Sequence, residues 1–479
     1  MKNRGVIGGT AAAALLVYLT GPSLAQDESG PAGLRVQLGL QQSFGSYDNL
    51  SLGTGTALNP REGRSTLSST GVALNVSSET PTQTFNFQIG GALRYGSTPA
   101  GSTTETGFVD PAASLFYTHE GARSRLQLDA AYSESAISLA RPLWDFTDED
   151  NVVTPPSDFG SLQGTGDRRA SRFALMYETG IDAPLGFRAS INRDSVQYLN
   201  TTTAQPTDYD RSSIKLSTFF RFRPGTALVV DLSASRYDNN ILNTTNKSQS
   251  AAVGFDHDLA SGASLSARIG YTKADSKNTG TTSKDSTGVT GSLSYATPLP
   301  SGSLSASYSV SRSDSGAVDT LRVGRQYVLP TGSIGFDIGA SSIAGSSARL
   351  IGGVNWRQTL PSGSLSLSLN RSVQADANNE DRFTTSLAAR YSHQVNETSS
   401  LFANASYFLV DGTGTANQTT RTTISMGYSR ALTEDWNLDA GINYNARKEV
   451  AVGAPTSSTL GRGTSNGVFV SLSRKFDLN

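Results

Sequence analysis

From Trp356 to Leu369 the chain reads Trp-Arg-Gln-Thr-Leu, then Pro-Ser-Gly, then Ser-Leu-Ser-Leu-Ser-Leu. This phrase restricts the fold more than any other stretch. Trp356 and Leu360 are four apart, so on a strand they share a face. Pro361 presets φ and Gly363 accepts positive φ, which is turn chemistry. Leu365, Leu367 and Leu369 then alternate with Ser366 and Ser368, so one face is apolar and the other carries hydroxyls. The phrase recurs with turn entries at Leu259, Leu299, Leu329, Leu360, Val395 and Leu432, at intervals of 30 to 40 residues. Each interval holds two strands and one longer polar loop.

An aromatic stands four residues before five of these turns: Phe255, Tyr295, Trp356, Tyr391 and Tyr428. Hairpins placed side by side turn that spacing into a ring at one level, which a bilayer interface selects. Arg325 stands where the sixth aromatic belongs. Alternation points it outward, so it either snorkels to an interface or marks a bulge.

Residues 1–25 read as a secretory signal peptide. Lys2 and Arg4 precede the apolar run Ala11 to Leu19, and Ser23-Leu24-Ala25 supplies small residues before a cut at Gln26. Without Lys2 and Arg4, 37 basic residues face 40 acidic ones, a net charge of −3. That is no nucleic-acid footprint. The chain contains no Cys, so disulfides and thiol chemistry are excluded. No later segment approaches the ~20 apolar residues of a membrane helix.

Period-2 alternation begins at Leu34, Val36, Leu38 and Leu40 and continues to the end. About seven residues separate the predicted cut from this strand, which on this reading leaves no room for a plug domain. The predicted fold is all-β: residues 26–479 form one transmembrane, antiparallel, up-and-down barrel of about 22 strands (20–24). An even count puts both termini in the periplasm, with short turns there and longer loops outside.

The last strand carries Ser465, Gly467, Val470, Leu472 and Phe476. This spacing resembles the C-terminal targeting strand of Gram-negative outer-membrane β-barrel proteins, although Asp477-Leu-Asn479 trail the aromatic. The resemblance implies insertion by the barrel-assembly machinery and contact with outer-membrane lipids and lipopolysaccharide. It names no porin-like subfamily and no oligomeric state.

Polar positions on the inward face include Arg125, Asp129, Arg172, Glu178, Arg188 and Arg221. On the lipid face at mid-depth each Arg or Lys would cost ~2–4 kcal/mol, so these charges are expected inside. The segment after the fifth strand carries Asp145, Asp148, Glu149, Asp150 and Asp158. It is similar in position and charge to the third loop of porins, which folds into the lumen against wall arginines. The expected constriction sets Asp145, Asp148, Glu149 and Asp150 against Arg125, Arg172, Arg188 and Arg221. The bland alternative is an exposed acidic loop.

No acid spacing matches a calcium loop, so no metal is expected. The three histidines, His119, His257 and His393, each precede a predicted periplasmic turn, and no nucleophile–base arrangement emerges. The expectation is therefore no enzyme, no catalytic residue and no cofactor. The function expected is passive diffusion of small hydrophilic solutes through a polar, charge-lined channel in the outer membrane. The alternatives are an export conduit for a polysaccharide or other polymer, and a non-conducting surface scaffold or adhesin.

Overall fold

The computed structural model describes residues 33–54, 63–99, 106–137, 143–146, 153, 155–160, 162, 166–201, 208–239, 243–278, 284–313, 316–376, 379–412, 417–450 and 459–478. The predicted signal peptide lies outside them. The first hairpins are β1 (Leu34–Tyr47), β2 (Ser65–Thr80), β3 (Gln83–Ser97), β4 (Gly107–Glu120), β5 (Ser124–Ala136) and β6 (Asp167–Thr179). Then come β7 (Leu185–Leu199), β8 (Tyr209–Arg223), β9 (Thr226–Asn239), β10 (Thr244–Asp258), β11 (Ser264–Asn278) and β12 (Lys284–Leu299). Next are β13 (Gly302–Ser313), β14 (Gly316–Leu329), β15 (Gly332–Ile343), β16 (Arg349–Leu360) and β17 (Gly363–Ala375). The last are β18 (Asp381–Asn396), β19 (Ser399–Val410), β20 (Gln418–Ala431), β21 (Trp436–Val450) and β22 (Thr459–Asp477). Each pairs antiparallel with the next, and β1 pairs with β22 from Gln37↔Asp477 to Tyr47↔Gly467. The sheet is therefore a closed antiparallel barrel of 22 strands, the number expected.

The alternation sorts the two faces. Ile214, Leu216, Ile269, Val289, Leu321, Ile338 and Ile442 stand outside and exposed. In water such a belt would be a severe liability; against hydrocarbon it is the matching surface.

The five aromatics share one level. Tyr295 is level with His257 through their common partner Leu265, two residues and two strands on from Phe255. From Tyr295 the register leads through Ala306, Val323 and Ile338 to Gly352, four strands away, and Trp356 lies four residues further on. Tyr391 and Tyr428 each follow by two residues over two strands. A drift of one residue per strand is the stagger that tilted strands need to close a barrel. The rings of His257 and His393 stack on Phe255 and Tyr391 at 5.8 and 6.4 Å.

The turn glycines have a second reason beside the one expected. Gly363 and Gly332 are the last residue of the turn and the first of the next strand. A Cβ on Gly363 would collide with the carbonyl oxygen of Ser392, and one on Gly332 with that of Arg357. Close approach of the next strand excludes a side chain there. Gly262, Gly302 and Gly363 also keep positive φ, at +81°, +135° and +158°, which favours glycine as the turn chemistry implies.

Arg325 snorkels. Its register with Leu304 and Phe336 is unbroken, so no bulge turns it inward. Its guanidinium lies over the Tyr327 ring at 4.3 Å and reaches Ser301 in the turn.

In β22, Val470, Leu472 and Phe476 occupy outward positions, and Arg474 covers the Phe476 ring at 4.2 Å. Gly467 faces Tyr47 across the closing seam, where a Cβ would strike the tyrosine ring and Asn443.

Candidate functional site at the barrel mouth

The inward charges form a ladder between neighbouring strands. Arg172 on β6 faces Asp129 on β5 at 3.7 Å, and Arg188 on β7 forks onto Glu178 on β6 at 3.0 Å. Arg125 pairs with Glu120 on β4 at 2.9 Å. Arg221 donates to the backbone carbonyls of Gly180 and Ala183 in a short turn. Arg268 on β11 reaches both Asp256 and Asp231, the latter two strands away on β9. It crosses β10 at Gly254, where a Cβ would occupy its path. Each of the four arginines assigned to a constriction thus has partners on its own or the adjacent hairpin. Arg125, Arg188 and Arg221 stand near the short-turn end, away from the segment expected to meet them.

Of that segment, Asp148, Glu149, Asp150 and the side chain of Asp145 lie outside the described residues. The described part enters the lumen at the long-loop end. Leu143, Val153 and Phe159 are buried against Ala388, Phe408 and Val410 on β18 and β19. The Phe159 ring meets Phe408 edge-on at 5.1 Å and Phe146 at 5.7 Å.

One residue back, Asp158 turns the other way. It is fully buried and ion-paired with Arg168 on β6, whose Nη2 donates to Oδ1 at 3.1 Å. The hydroxyl of Tyr198 on β7 donates to the same carboxylate, and Ser157 meets Tyr209 on β8 at 3.2 Å. Burial would raise the Asp158 carboxyl, but the Arg168 charge and the bonds from Arg168 and Tyr198 outweigh it. The group is held below the usual carboxylate range.

β6 and β19 are far apart around the barrel. Asp158 and Phe159 therefore tie two distant walls together through adjacent residues. A second tie lies close by: Arg211 on β8 donates to Asn379, in the loop between β17 and β18, at 2.9 Å.

The two walls differ in chemistry. On one, Tyr198, Tyr209 and Tyr237 pack with Val196 and Ala170, with Tyr209 and Tyr237 stacked at 5.9 Å. On the other, Arg421 on β20 and Arg447 on β21 are direct cross-strand partners. Arg421 lies 5.4 Å over the Phe159 ring and donates through Nη2 to the Leu162 carbonyl. Its buried Nε has no partner among the described residues. Arg447 pairs with Glu449 at 3.0 Å. Like charges side by side are costly unless something negative joins them. Sequence reading missed both arginines and the tyrosine wall. The inward parity of positions 421 and 447 was the available signal.

No family model matches the chain, and no curated protein does. Solved structures do. The FrpB iron transporter from Neisseria meningitidis aligns with a TM-score of 0.53 at 10% identity, over 92% of this chain and 82% of that one. BauA, the ferric preacinetobactin receptor from Acinetobacter baumannii, gives 0.55 at 12%, over 93% and 80%. The copper transporter OprC gives 0.51 at 12%, over 93% and 80%. At such identities the likeness shows the fold, that of a Gram-negative outer-membrane β-barrel.

These findings correct the expectation of a passive, porin-like channel. The matching barrels are named as iron and copper transporters and a ferric preacinetobactin receptor, and not as diffusion porins. The physical reason lies in the mouth. Walls far apart are tied across it, and the wall charges assigned to solute selection are engaged with neighbouring strands.

Proposed function

We propose that this barrel is a ligand-specific uptake receptor of the outer membrane, and that its ligand is a small anionic metal chelate held at the mouth. The observation that carries this reading is the Arg421–Arg447 pair beside Phe159, where cationic groups and an aromatic ring converge under a lumen-crossing segment. Guanidinium groups recognise carboxylate and catecholate oxygens through charge-assisted hydrogen bonds, and aromatic faces suit planar chelators. The similarity to an iron transporter, a ferric preacinetobactin receptor and a copper transporter supports the same ligand class.

On this reading the ligand's negative charge offsets the repulsion between the arginines. It also competes for Arg421, which otherwise binds the Leu162 carbonyl. Binding at the mouth is thereby coupled to release of the crossing segment. The aromatic level set by Phe255, Tyr295, Trp356, Tyr391 and Tyr428 lies at the periplasmic-side interface.

The test is calorimetric titration of the detergent-purified protein with a ferric catecholate, a ferric hydroxamate and a neutral sugar. Saturable binding of an anionic chelate is expected, weakened at least ~10-fold by Arg421→Gln, the loss of one charged hydrogen bond. Absence of chelate binding, or equal binding by the folded variant, overturns the reading.

A further inference from the structure

A groove of about 520 Å³ lies on the outside of the barrel where the sheet closes on itself. It straddles β20, β21, β22 and β1, with Arg64 just ahead of β2. Its deeper part is apolar: Met426, Ile442 and Val468 are half exposed on the outward face, with Ile424 beside them. Nearer the long loops the lining turns polar, with Ser46, Asp48, Arg64, Tyr444 and Asn466.

Two cations stand at that upper end. Arg64 gives its Nε to Ser46 Oγ at 3.0 Å, and Arg462 gives an Nη2 to the Tyr444 hydroxyl at 3.2 Å. The acid in the lining is engaged, since Asp48 accepts from the backbone and side-chain nitrogens of Asn466 at 2.7 and 2.8 Å. The groove is thus apolar towards mid-membrane and cationic towards the surface.

We infer that this groove is a lipid site, taking an acyl chain against Met426, Ile442 and Val468 and an anionic phosphate headgroup against Arg64 and Arg462. The vertical order of the lining is the argument for a lipid. An acylated phosphate presents hydrocarbon below and charge above in the same sequence of depths, and a volume of this size holds a small-molecule tail. A second barrel pressing here would have to cover the arginines with an opposing acid, and it would meet a concave surface rather than a flat one. Bound in this position, the lipid bridges the first and last strands and reinforces the seam that closes the barrel.

The test is native mass spectrometry of the full protein in detergent after incubation with phosphatidylglycerol or phosphatidylcholine, with inorganic phosphate as a competitor. The anionic lipid is expected to be retained over the neutral one by about fivefold for each arginine near the surface. Arg64→Gln with Arg462→Gln should abolish that preference while leaving acyl retention. Met426→Trp, which fills the groove, should abolish retention of both lipids. Inorganic phosphate should not displace the lipid, because it lacks the tail. Heat-modifiable gel mobility checks that each variant is folded. Equal retention of both lipids by the wild type overturns the headgroup assignment. Undiminished retention in folded Met426→Trp overturns the site. A dimer mass that Met426→Trp removes, without retained lipid, assigns the groove to a second copy instead.

Discussion

At the turn end of the barrel, Leu360 meets Gly363 and the hairpin closes among residues adjacent in sequence. At the mouth, Arg421 meets Leu162 from 259 residues away. The same strands run through both ends, yet one is held by local geometry and the other by a few long-range contacts. The turn end is redundant: its phrase is repeated, and an aromatic or a glycine recurs at each copy. The mouth is singular. Its crossing segment is held by Asp158 on Arg168, by Phe159 and by Arg421, and such singular contacts are where a ligand can exert leverage.

The largest effect that could break this comparison is expected at Asp158. Asp158→Ala leaves Arg168 buried without its main counter-charge, a change worth ~3–5 kcal/mol for a buried pair. The loss should fall on the crossing segment rather than on the barrel. Proteolysis around residues 155–162 should accelerate by two orders of magnitude or more, while the unfolding transition of the sheet barely moves. A lowered barrel midpoint with an unchanged cleavage rate would reverse the assignment.

At the turn end, Gly363→Val should destabilise the hairpin by roughly 1–3 kcal/mol, the cost of overpacking, because its Cβ meets the Ser392 carbonyl. A folding titration in lipid vesicles measures it. The ligand-facing contacts at the mouth should be untouched, so a change in segment cleavage would show that the two ends are coupled.

Acid titration sharpens the contrast further. The folded-state pKa of Asp158 is lowered, so its contribution is fully present above the unfolded value of about 3.9. It is lost as pH falls through the lower folded value. Hydrogen exchange of the crossing segment should therefore be flat from pH 7 to pH 5, after correction for intrinsic rates. Protection should fall only below about pH 4. Loss of protection near pH 6 would point to another group.

The smallest effect is expected at Arg325. Replacing it with Leu removes a cation–π contact worth about 0.5–1 kcal/mol at an exposed site and relieves a charge beside lipid. The two nearly cancel, and the folding free energy should stay within about 1 kcal/mol of wild type.

The contrast also explains how much was legible in the sequence. Strand number, the faces of Leu365, Leu367 and Leu369, and the common level of the aromatics follow from period-2 alternation and a repeated turn, both local properties. The positive φ of Gly363 was legible, but its second reason was not, because close approach of β18 is invisible from the turn itself. Inward parity was readable for Arg172 and Arg188, but their partners Asp129 and Glu178 required the register between strands. The mouth was least legible. The sequence points to Asp145, Asp148, Glu149 and Asp150 as the acids that meet wall arginines, and not to Asp158. The pair Asp158–Arg168, and the turn of Phe159 towards β19, depend on how the barrel brings distant walls together.

The most direct test of the bridged mouth uses the absence of natural cysteine. A Cβ on Gly160 would lie 2.7 Å from Val410 Cγ2, within disulfide reach once both positions carry a thiol. Gly160→Cys with Val410→Cys, oxidised in isolated outer membranes, should form the disulfide in nearly every folded molecule and tie the segment to β19. Two free thiols that both react with maleimide in the folded barrel would mean that the segment does not cross the lumen, and the account of the mouth would fail.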